Sequence, residues 1–227
     1  MIKSSSPTKL PFSSLVQKLS PVPTRLLQRL VVENDLRTGV DIGCGEYSIL
    51  SAMRSERFRT TGLDAFPATI ESCRAKNTHD DYICADFLKQ DLNQQFDVVV
   101  LNHVIEHFDR DTGFEVLRRL EAMARRVVYI GTPNGFIEQM GYGGNPFQRH
   151  LSGWFPHDFE SRGYNVFGFG PKVLRGVQGR PKYFPEPVVV FIERATRWYF
   201  YRRPAKSNSM GAIKYIDADG NVRQLRG

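Results

Sequence analysis

Short apolar runs alternate along the chain with segments whose apolar residues recur at helical spacing. Helical spacing marks 24–33 and 111–124, and a proline at the first position of 67–76 favours a third helix. A further helix is predicted at 47–54, directly after a glycine turn. Strands are predicted at the run ending in Ile42 and at 59–63, 81–85, 96–101 and 126–130. This alternation predicts an α/β fold with a parallel, doubly wound sheet.

The carboxy-terminal part continues the pattern after one long interruption. Residues 131–155 are rich in glycine and aromatic residues, which predicts a lid or a binding loop. Beyond it we predict a short helix at 156–162, a strand at 164–169, an amphipathic helix at 188–201 and a last strand at 211–216. We expect the sheet to be mostly parallel and Rossmann-like, with the final strand antiparallel.

The length of 227 residues fits one domain with decorations. The predicted organisation is an amino-terminal helical segment at 1–36, a main domain at 37–218 and a tail at 219–227. Within the main domain, the lid is assigned to 131–159 and an inserted amphipathic helix to 187–202.

Positive charge is concentrated at the carboxy-terminal end. The formal net charge is +7, and residues 171–227 contain 12 Lys and Arg against 4 Asp and Glu. Such an excess indicates an acidic substrate, a phosphate-rich partner or an anionic membrane surface, although a solvated basic face explains it as well. Because aromatic residues and arginines are mixed within 188–203, a peripheral membrane contact is predicted, with packing of a helix on the sheet as the alternative.

Cysteine usage and the length of the apolar runs bear on the compartment. Cys44, Cys73 and Cys84 show no C-x-x-C spacing, so neither a disulfide framework nor a thiolate zinc site is predicted. A reducing, cytoplasmic location is expected. No run reaches the ~18 apolar residues that a membrane span needs. Residues 1–30 lack acidic residues, as transit peptides do, but a segment lying over the core is the preferred interpretation.

A glycine turn, Asp41-Ile42-Gly43-Cys44-Gly45, ends the first predicted strand. Glycines there leave room for a ligand against the main chain. A dinucleotide-binding fingerprint would place a third glycine at position 48, which is a serine, so this ligand class is disfavoured. The aspartate at position 64 ends the second strand, where a carboxylate can accept hydrogen bonds from ribose hydroxyls.

Four features in order carry a family resemblance: the glycine turn, Asp64, Asp86 and the run Asp97–Phe108 at the central strand. With them the chain resembles the class I S-adenosylmethionine-dependent methyltransferases over residues 38–134. The resemblance implies S-adenosyl-L-methionine as the cofactor and a methyltransferase role for the main domain. One such aspartate alone is more often a helix cap or a turn residue, but three at successive strand ends favour ligand binding.

The resemblance also implies a role for each residue of the set. The first aspartate would hold the ammonium of the methionine part, directly or through water, and the two glycines would admit the ligand. The aspartate after the second strand would bind the ribose hydroxyls, and the one after the third strand the adenine amino group. The residues after the central strand would line the sulfonium end. The implied cofactor-binding residues are Asp41, Gly43, Gly45, Asp64, Ala65, Asp86, Phe87, Asn102 and His103.

The run His103-Val104-Ile105-Glu106-His107 also matches H-x-x-E-H, a metallopeptidase pattern. That pattern needs a long helix and a third ligand, whereas this run directly follows a predicted buried strand. A chance match is therefore the better interpretation. No metal ligand is predicted, and a divalent ion held by the two histidines and the glutamate stays an open alternative.

Methyl transfer requires alignment of the nucleophile and exclusion of water, and a hydroxyl acceptor must also lose its proton. Histidine side chains can accept a proton near neutral pH, so His107 and His150 are the predicted catalytic residues, with a structural role as the alternative for each. Five aromatic residues are predicted either to wall a substrate pocket or to pack beneath the lid: Tyr142, Phe147, Trp154, Phe155 and Phe159.

The sequence therefore predicts a methyltransferase that acts on a small molecule, with oxygen as the acceptor atom. A nucleic-acid methyltransferase is the alternative within the enzyme class, although no N-P-P-Y-type motif follows the central strand. A non-catalytic relative of the fold that binds a nucleotide or a partner protein is the alternative from another class.

Overall fold

The computed structural model describes residues 23–90, 92, 94–141, 145–176, 180–216 and 222–223. The predictions made for residues 1–22, for most of the 219–227 tail and for Tyr142 lie outside these ranges. In the described part of the chain, seven strands form the body of one sheet, and an eighth strand has only two residues. The strands are β1 (Thr38–Ile42), β2 (Arg59–Asp64), β3 (Asp81–Cys84), β4 (Phe96–Asn102), β5 (Ala124–Pro133), β6 (Asn165–Pro171), β7 (Ser207–Ile216) and β8 (Val222–Arg223).

The strand order across the sheet is β3-β2-β1-β4-β5-β7-β6, with β8 paired to β7. The strands β1 to β5 pair in parallel, while β7 is antiparallel to both β5 and β6. The chain thus runs outward from β1 to β3, returns to β4, and closes with one strand of opposite direction. The predicted mostly parallel, Rossmann-like sheet with an antiparallel strand near the carboxyl terminus is confirmed.

Within the described residues, five α-helices accompany the sheet, and local signals explain where they begin and end. They are α1 (Pro23–Glu33), α2 (Pro67–Lys76), α3 (Arg110–Met123), α4 (Pro156–Glu160) and α5 (Glu186–Tyr201). Asp109 caps α3 by accepting a hydrogen bond from the backbone nitrogen of Thr112 at 2.9 Å. Helix α2 has Pro67 in its first turn and ends at Asn77 in the left-handed conformation, with φ of 51°.

The central strand β4 separates two apolar cores because alternate side chains point to opposite faces of the sheet. Val99 and Leu101 belong to the core under α3, and Val98 and Val100 to the core under α1. All four side chains are fully buried. This burial on both faces explains why the strand reads as a continuous apolar run in the sequence.

The helix predicted at 47–54 is wrong, since only a short 3-10 helix, Leu50–Met53, forms there. The Ser48 hydroxyl donates to the Asp41 carboxylate and accepts from the backbone nitrogen of Leu50 at 3.1 Å. A serine that bonds nearby backbone groups in this way competes with helical hydrogen bonds. The first crossover is therefore mostly irregular.

The long connection after β5 starts at Asn134 rather than Gly131, because β5 continues through Pro133. We call residues 134–155 the lid loop. Its two ends meet, since the backbone nitrogen of Gly135 donates to the carbonyl of Trp154 at 2.7 Å. The Asn134 side-chain amide donates to the carbonyls of Pro204 and Ser207, both at 2.8 Å, and so ties this end of the loop to β7.

The aromatic residues of the lid loop and α4 divide between core and surface. Trp154 and Phe159 are fully buried in the main core, so the hypothesis that they wall a substrate pocket is wrong. Trp154 fits there because α3 carries Gly113, where a Cβ atom would lie 2.3 Å from the indole ring. Phe155 and Phe147 are both partly exposed.

Helix α5 presents exposed aromatic side chains on its outer face, including Phe191 and Trp198, with Arg202 stacked over the Trp198 ring. Its acidic residues Glu186 and Glu193 both accept hydrogen bonds from Arg175. A membrane contact through this face stays a prediction. Among the described residues, no helix combines the length and the apolar character that crossing a membrane requires.

Candidate active site

A cleft of about 570 Å³ opens at the carboxyl edge of the sheet, above β1, β2, β3 and β4. The edge lies where the chain reverses from β1–β3 to β4, the place where open α/β sheets bind ligands. Eight of the nine predicted cofactor residues line it, as does one of the two predicted catalytic histidines. These are Gly43, Gly45, Asp64, Ala65, Asp86, Phe87, Asn102, His103 and His107.

The glycine turn forms the floor of the cleft in a conformation that favours glycine. Gly43 and Gly45 have φ of +67° and +51°. A Cβ atom on Gly43 would lie 2.5 Å from a methyl carbon of Val104, which enters from the loop after β4. The two loops can therefore approach each other only because position 43 carries no side chain.

Asp64 stands at the end of β2 with its carboxylate held by the main chain. One oxygen accepts from the backbone nitrogen of Gly45 at 3.2 Å and the other from that of Phe66 at 2.9 Å. Burial raises the pKa of this carboxyl, while the backbone hydrogen bonds act in the opposite direction. Because each carboxylate oxygen has a second lone pair, the group can still accept hydrogen bonds from a ligand in the cleft.

Asp86 and Phe87 follow β3 at the far end of the cleft. The Asp86 carboxylate accepts from the backbone nitrogen of Leu88 at 3.0 Å and lies 3.2 Å from the Lys89 ammonium. Phe87 is buried, with the guanidinium of Arg119 over its ring at 4.8 Å. This end offers an apolar floor beside a carboxylate acceptor, which suits a flat heteroaromatic ring carrying an amino group.

Asp41 is the predicted cofactor residue that does not line the cleft. Its side chain is buried beneath the glycine turn, where one oxygen accepts from the Ser48 hydroxyl and the other, Oδ1, has no hydrogen-bond partner. Burial raises the pKa of the Asp41 carboxyl to about 7, and the nearby charge of Asp64 adds to the rise. A ligand ammonium can therefore reach this carboxylate only through water or after a local shift.

The raised pKa of Asp41 makes the stability of the ligand-free protein depend on pH. Between the pKa of an unfolded aspartate, near 3.9, and about 7, the folded state retains a proton that the unfolded state has lost. This contribution therefore falls as pH rises, by about 2 kcal/mol from pH 5 to pH 7, because the slope of roughly 1.4 kcal/mol per pH unit is halved where the pH equals the folded-state pKa. Urea unfolding at pH 5 and pH 7 should show that the free energy of unfolding falls less between these pH values in Asp41→Asn than in the wild type.

Asp81→Asn is the matched control, since its carboxyl is exposed on β3 and pairs only with Arg59 at the surface. This variant should lose as much stability with rising pH as the wild type does. Equal pH dependence of Asp41→Asn and wild type would show that Asp41 is ionised in the folded protein throughout this range.

The loop after β4 is organised by Glu106, whose importance the sequence prediction missed. His103 has φ of 56°, in the left-handed region, and its Nδ1 lies 3.2 Å from Glu106 Oε1. The Thr132 hydroxyl donates to Glu106 Oε2 at 3.0 Å, and the Glu106 carbonyl accepts from the backbone nitrogens of Leu151 and Ser152. This buried glutamate thus connects the cofactor edge with the lid loop.

Two opposing effects act on the Glu106 carboxyl. Burial works to raise its pKa, but the hydrogen bond and charge of His103, followed by the charge of His107, bring it below its ordinary value. Glu106 is therefore an anion in a buried place. The H-x-x-E-H interpretation as a peptidase helix fails here, since Ile105–His107 forms only one 3-10 turn.

The predicted catalytic residues His107 and His150 come together although they are far apart in the chain. Their ring centroids are 4.9 Å apart. Both line a second cavity of about 340 Å³, which shares His103, His107 and Gln148 with the larger cleft. We call it the acceptor cavity. The cavity and the cleft meet at the histidines of the loop after β4.

Several cleft residues were not predicted from the sequence. Asn145 and Gln148 belong to the lid loop and close one side of the cleft, and no motif marked them. Phe147, one of the aromatic residues predicted to wall a pocket, does line the cleft beside them. Tyr47 lies beside the glycine turn and is 90% exposed. A loop that crosses the cleft is placed by contacts distant in sequence, so periodicity and spacing carry no signal for it.

Fold and site together define a nucleotide-cofactor protein that holds its ligand at the switch point of a doubly wound sheet. Residues 40–129, from β1 to β5, match the family model described as "Methyltransferase domain". Over these residues the chain is similar to the class I S-adenosylmethionine-dependent methyltransferases, whose sheet has this strand order. Comparison with curated proteins found no significant match.

Solved methyltransferase structures share the fold over most of both chains. The plantazolicin methyltransferase BpumL, solved with a pentazolic desmethylPZN analog and SAH, has a TM-score of 0.55 at 15% identity, covering 92% of this chain and 86% of its own. The N-methyltransferase NodS from Bradyrhizobium japonicum has a TM-score of 0.52 at 14% identity, covering 88% of this chain and 96% of its own. A SAM dependent methyltransferase from Archaeoglobus fulgidus has a TM-score of 0.50 at 19% identity, covering 90% of this chain and 100% of its own.

Proposed function

We propose that the protein transfers the methyl group of S-adenosyl-L-methionine to an oxygen atom of a small molecule bound in the acceptor cavity. The observation that carries this proposal is the junction of the cleft and the acceptor cavity at His103 and His107. A cofactor in the cleft and an acceptor in the cavity would both contact these two side chains.

The residues of the cleft fit this cofactor. Asp64 has free lone pairs for the ribose, Phe87 and Asp86 suit the adenine, and the glycine turn admits the ligand against the backbone. The unpartnered Oδ1 of Asp41 provides a buried carboxyl acceptor beneath the turn for the methionine ammonium. The bound cofactor supplies an electrophilic methyl group, so the protein has mainly to orient the acceptor and exclude water.

The size of the acceptor cavity favours a small acceptor or a single protruding group of a larger one, since pockets for small molecules start at about 300 Å³. The structural neighbours do not decide the acceptor, because they include a plantazolicin methyltransferase and an N-methyltransferase. Oxygen is preferred because both histidines lie beside the cavity, where a hydroxyl must give up its proton.

Neutral His107 and His150 each present an unprotonated nitrogen on the ring side away from the main chain. His107 Nδ1 lies 3.1 Å from the carbonyl of Arg149, and His150 Nδ1 lies 2.6 Å from the carbonyl of Ile137. Because a carbonyl oxygen only accepts, Nδ1 is the donor in both rings and Nε2 keeps its lone pair. Both predicted catalytic residues can therefore bind an acceptor hydroxyl through Nε2.

The proposal is tested by incubating the protein with methyl-labelled S-adenosylmethionine and fractionated cell extract. Label in a small-molecule fraction, with an oxygen-bound methyl group by NMR of the product, is the expected result. Label in the nucleic-acid fraction would instead support the alternative substrate class. Failure to bind the cofactor in calorimetry would support a non-catalytic relative and overturn the assignment.

A further inference from the structure

Glu106, His107 and His150 form a cluster of three potential metal ligands outside the cofactor-binding residues. One ligand atom from each residue, an imidazole nitrogen or a carboxylate oxygen, lies within 4.8 Å of the other two. The cluster lies in the wall of the acceptor cavity, and His107 also faces the cofactor cleft. It joins the loop after β4 to the lid loop.

The hydrogen bonds around the two histidines suit metal binding. Histidine ligands of metals almost always donate their other ring N–H to a carbonyl or a carboxylate, which fixes the tautomer and directs the free nitrogen at the metal. His107 and His150 each have Nδ1 at a backbone carbonyl, so Nε2 is free in both.

The third member of the cluster is an anion without a strong cationic partner. Glu106 is 2% exposed, and its carboxylate contacts His103 and the Thr132 hydroxyl. Among the described residues, no lysine or arginine forms an ion pair with it. A buried carboxylate normally has a cation beside it. Each oxygen still has a lone pair that can bind one.

The geometry points to a divalent transition-metal site formed by Glu106, His107 and His150, of the kind that takes Zn²⁺, Mn²⁺ or Co²⁺. Two imidazoles and one carboxylate favour these ions over Mg²⁺ or Ca²⁺, which prefer ligand sets made of oxygen. Three protein ligands leave coordination positions open toward the acceptor cavity, as in catalytic metal sites.

This inference deepens the proposed function and rests on it for the role of the metal. With both Nε2 lone pairs on the metal, the two histidines would be its ligands and not the base. A hydroxyl oxygen bound at an open position would become more acidic, and its proton would leave to water in the cavity. The site would then select acceptors with a hydroxyl group that reaches the metal, and would place their oxygen beside the sulfonium end of the cofactor cleft.

The test is a titration of the full chain, freed of metal by a chelator and without S-adenosylmethionine, with Zn²⁺ in a calorimeter and with Co²⁺ by visible absorption. We expect one equivalent to bind, and His150→Ala and His107→Ala to weaken binding at least about 10-fold. Removing only a hydrogen-bond partner of a metal ligand typically lowers metal affinity by about 10–100-fold, so removing a ligand should cost at least as much. His157→Ala is the matched control, since His157 is an exposed histidine outside the cluster. This variant should bind the metal ion as tightly as the wild type does.

Retained cofactor affinity in calorimetry would show that the variants are folded. An independent readout needs no variant: Zn²⁺ should shift the imidazole NMR signals of two of the five histidines of the wild type together. Absence of metal binding to the wild type, or binding to both cluster variants as tight as to the wild type, would overturn the inference. Metal binding is measured without the cofactor, so a failure of the cofactor assignment would leave the metal site standing. A failure of the metal titration would likewise leave the cofactor assignment standing.

Discussion

Asp64→Ala is expected to weaken S-adenosylmethionine binding by about 100-fold. The wild-type carboxylate is held in place by the backbone nitrogens of Gly45 and Phe66, so it is preorganised to accept hydrogen bonds from the ribose. A hydrogen bond to a charged group contributes about 1.5–3 kcal/mol, and 1.4 kcal/mol corresponds to a tenfold change in affinity. Calorimetric titration of the purified protein measures the loss directly.

Two further variants separate ligand binding from structural support. Asp64→Asn keeps one carbonyl oxygen as acceptor and should bind with intermediate affinity. Asp81→Ala removes an exposed carboxyl from the opposite end of the neighbouring strand β3 and should bind as the wild type does. Unchanged affinity of Asp64→Ala would remove Asp64 from the cofactor site.

Arg110→Ala should lower the free energy of unfolding by about 3 kcal/mol. The guanidinium donates two hydrogen bonds to the Asp158 carboxylate, at 2.6 and 2.8 Å, and one to the Gly153 carbonyl at 2.9 Å. It also lies over the Trp154 ring at 4.3 Å. Asp158 is 6% exposed, and leaving such a charge unpaired costs about 3–5 kcal/mol, with the lower end expected because Arg110 is partly exposed.

Arg118→Ala is the control from the same helix, since its pair with Glu115 lies at the surface and should contribute little to the free energy of unfolding. Urea unfolding followed by tryptophan fluorescence would report both variants. Asp158→Asn in the Arg110→Ala background should recover part of the loss by removing the unpaired charge. Equal stability of Arg110→Ala and Arg118→Ala would show that the buried carboxylate does not need its partner.

Most of the fold could be predicted because its signals are local. The apolar run of β4 is buried on both faces, and α3 combines an aspartate cap with apolar residues at helical spacing. The helix expected at 47–54 fails because the bond from Ser48 to Asp41 links the first crossover to β1. That bond depends on tertiary placement, which a window of sequence does not contain.

The candidate site divides in the same way. The glycine turn, Asp64 and Asp86 follow strand ends in parallel, so their meeting at one edge follows from topology. The proximity of His150 to His107 depends instead on a lid loop whose path is set by hydrogen bonds to the Glu106 carbonyl. The sequence left the role of Trp154 open, because an aromatic residue in a loop gives the same sequence pattern whether it packs into the core or lines a pocket.

The closed ends of the lid loop have a consequence for protein engineering. Because Gly135 and Trp154 are hydrogen-bonded to each other and Asn134 is tied to the strand beside it, the segment between them leaves and rejoins the scaffold at one place. Closing a longer loop at such a place costs little, about 0.6 kcal/mol for each doubling of length. Segments from other enzymes could therefore be grafted between these anchors to alter acceptor choice, while the sheet and the strand-end residues of the cofactor cleft stay in place.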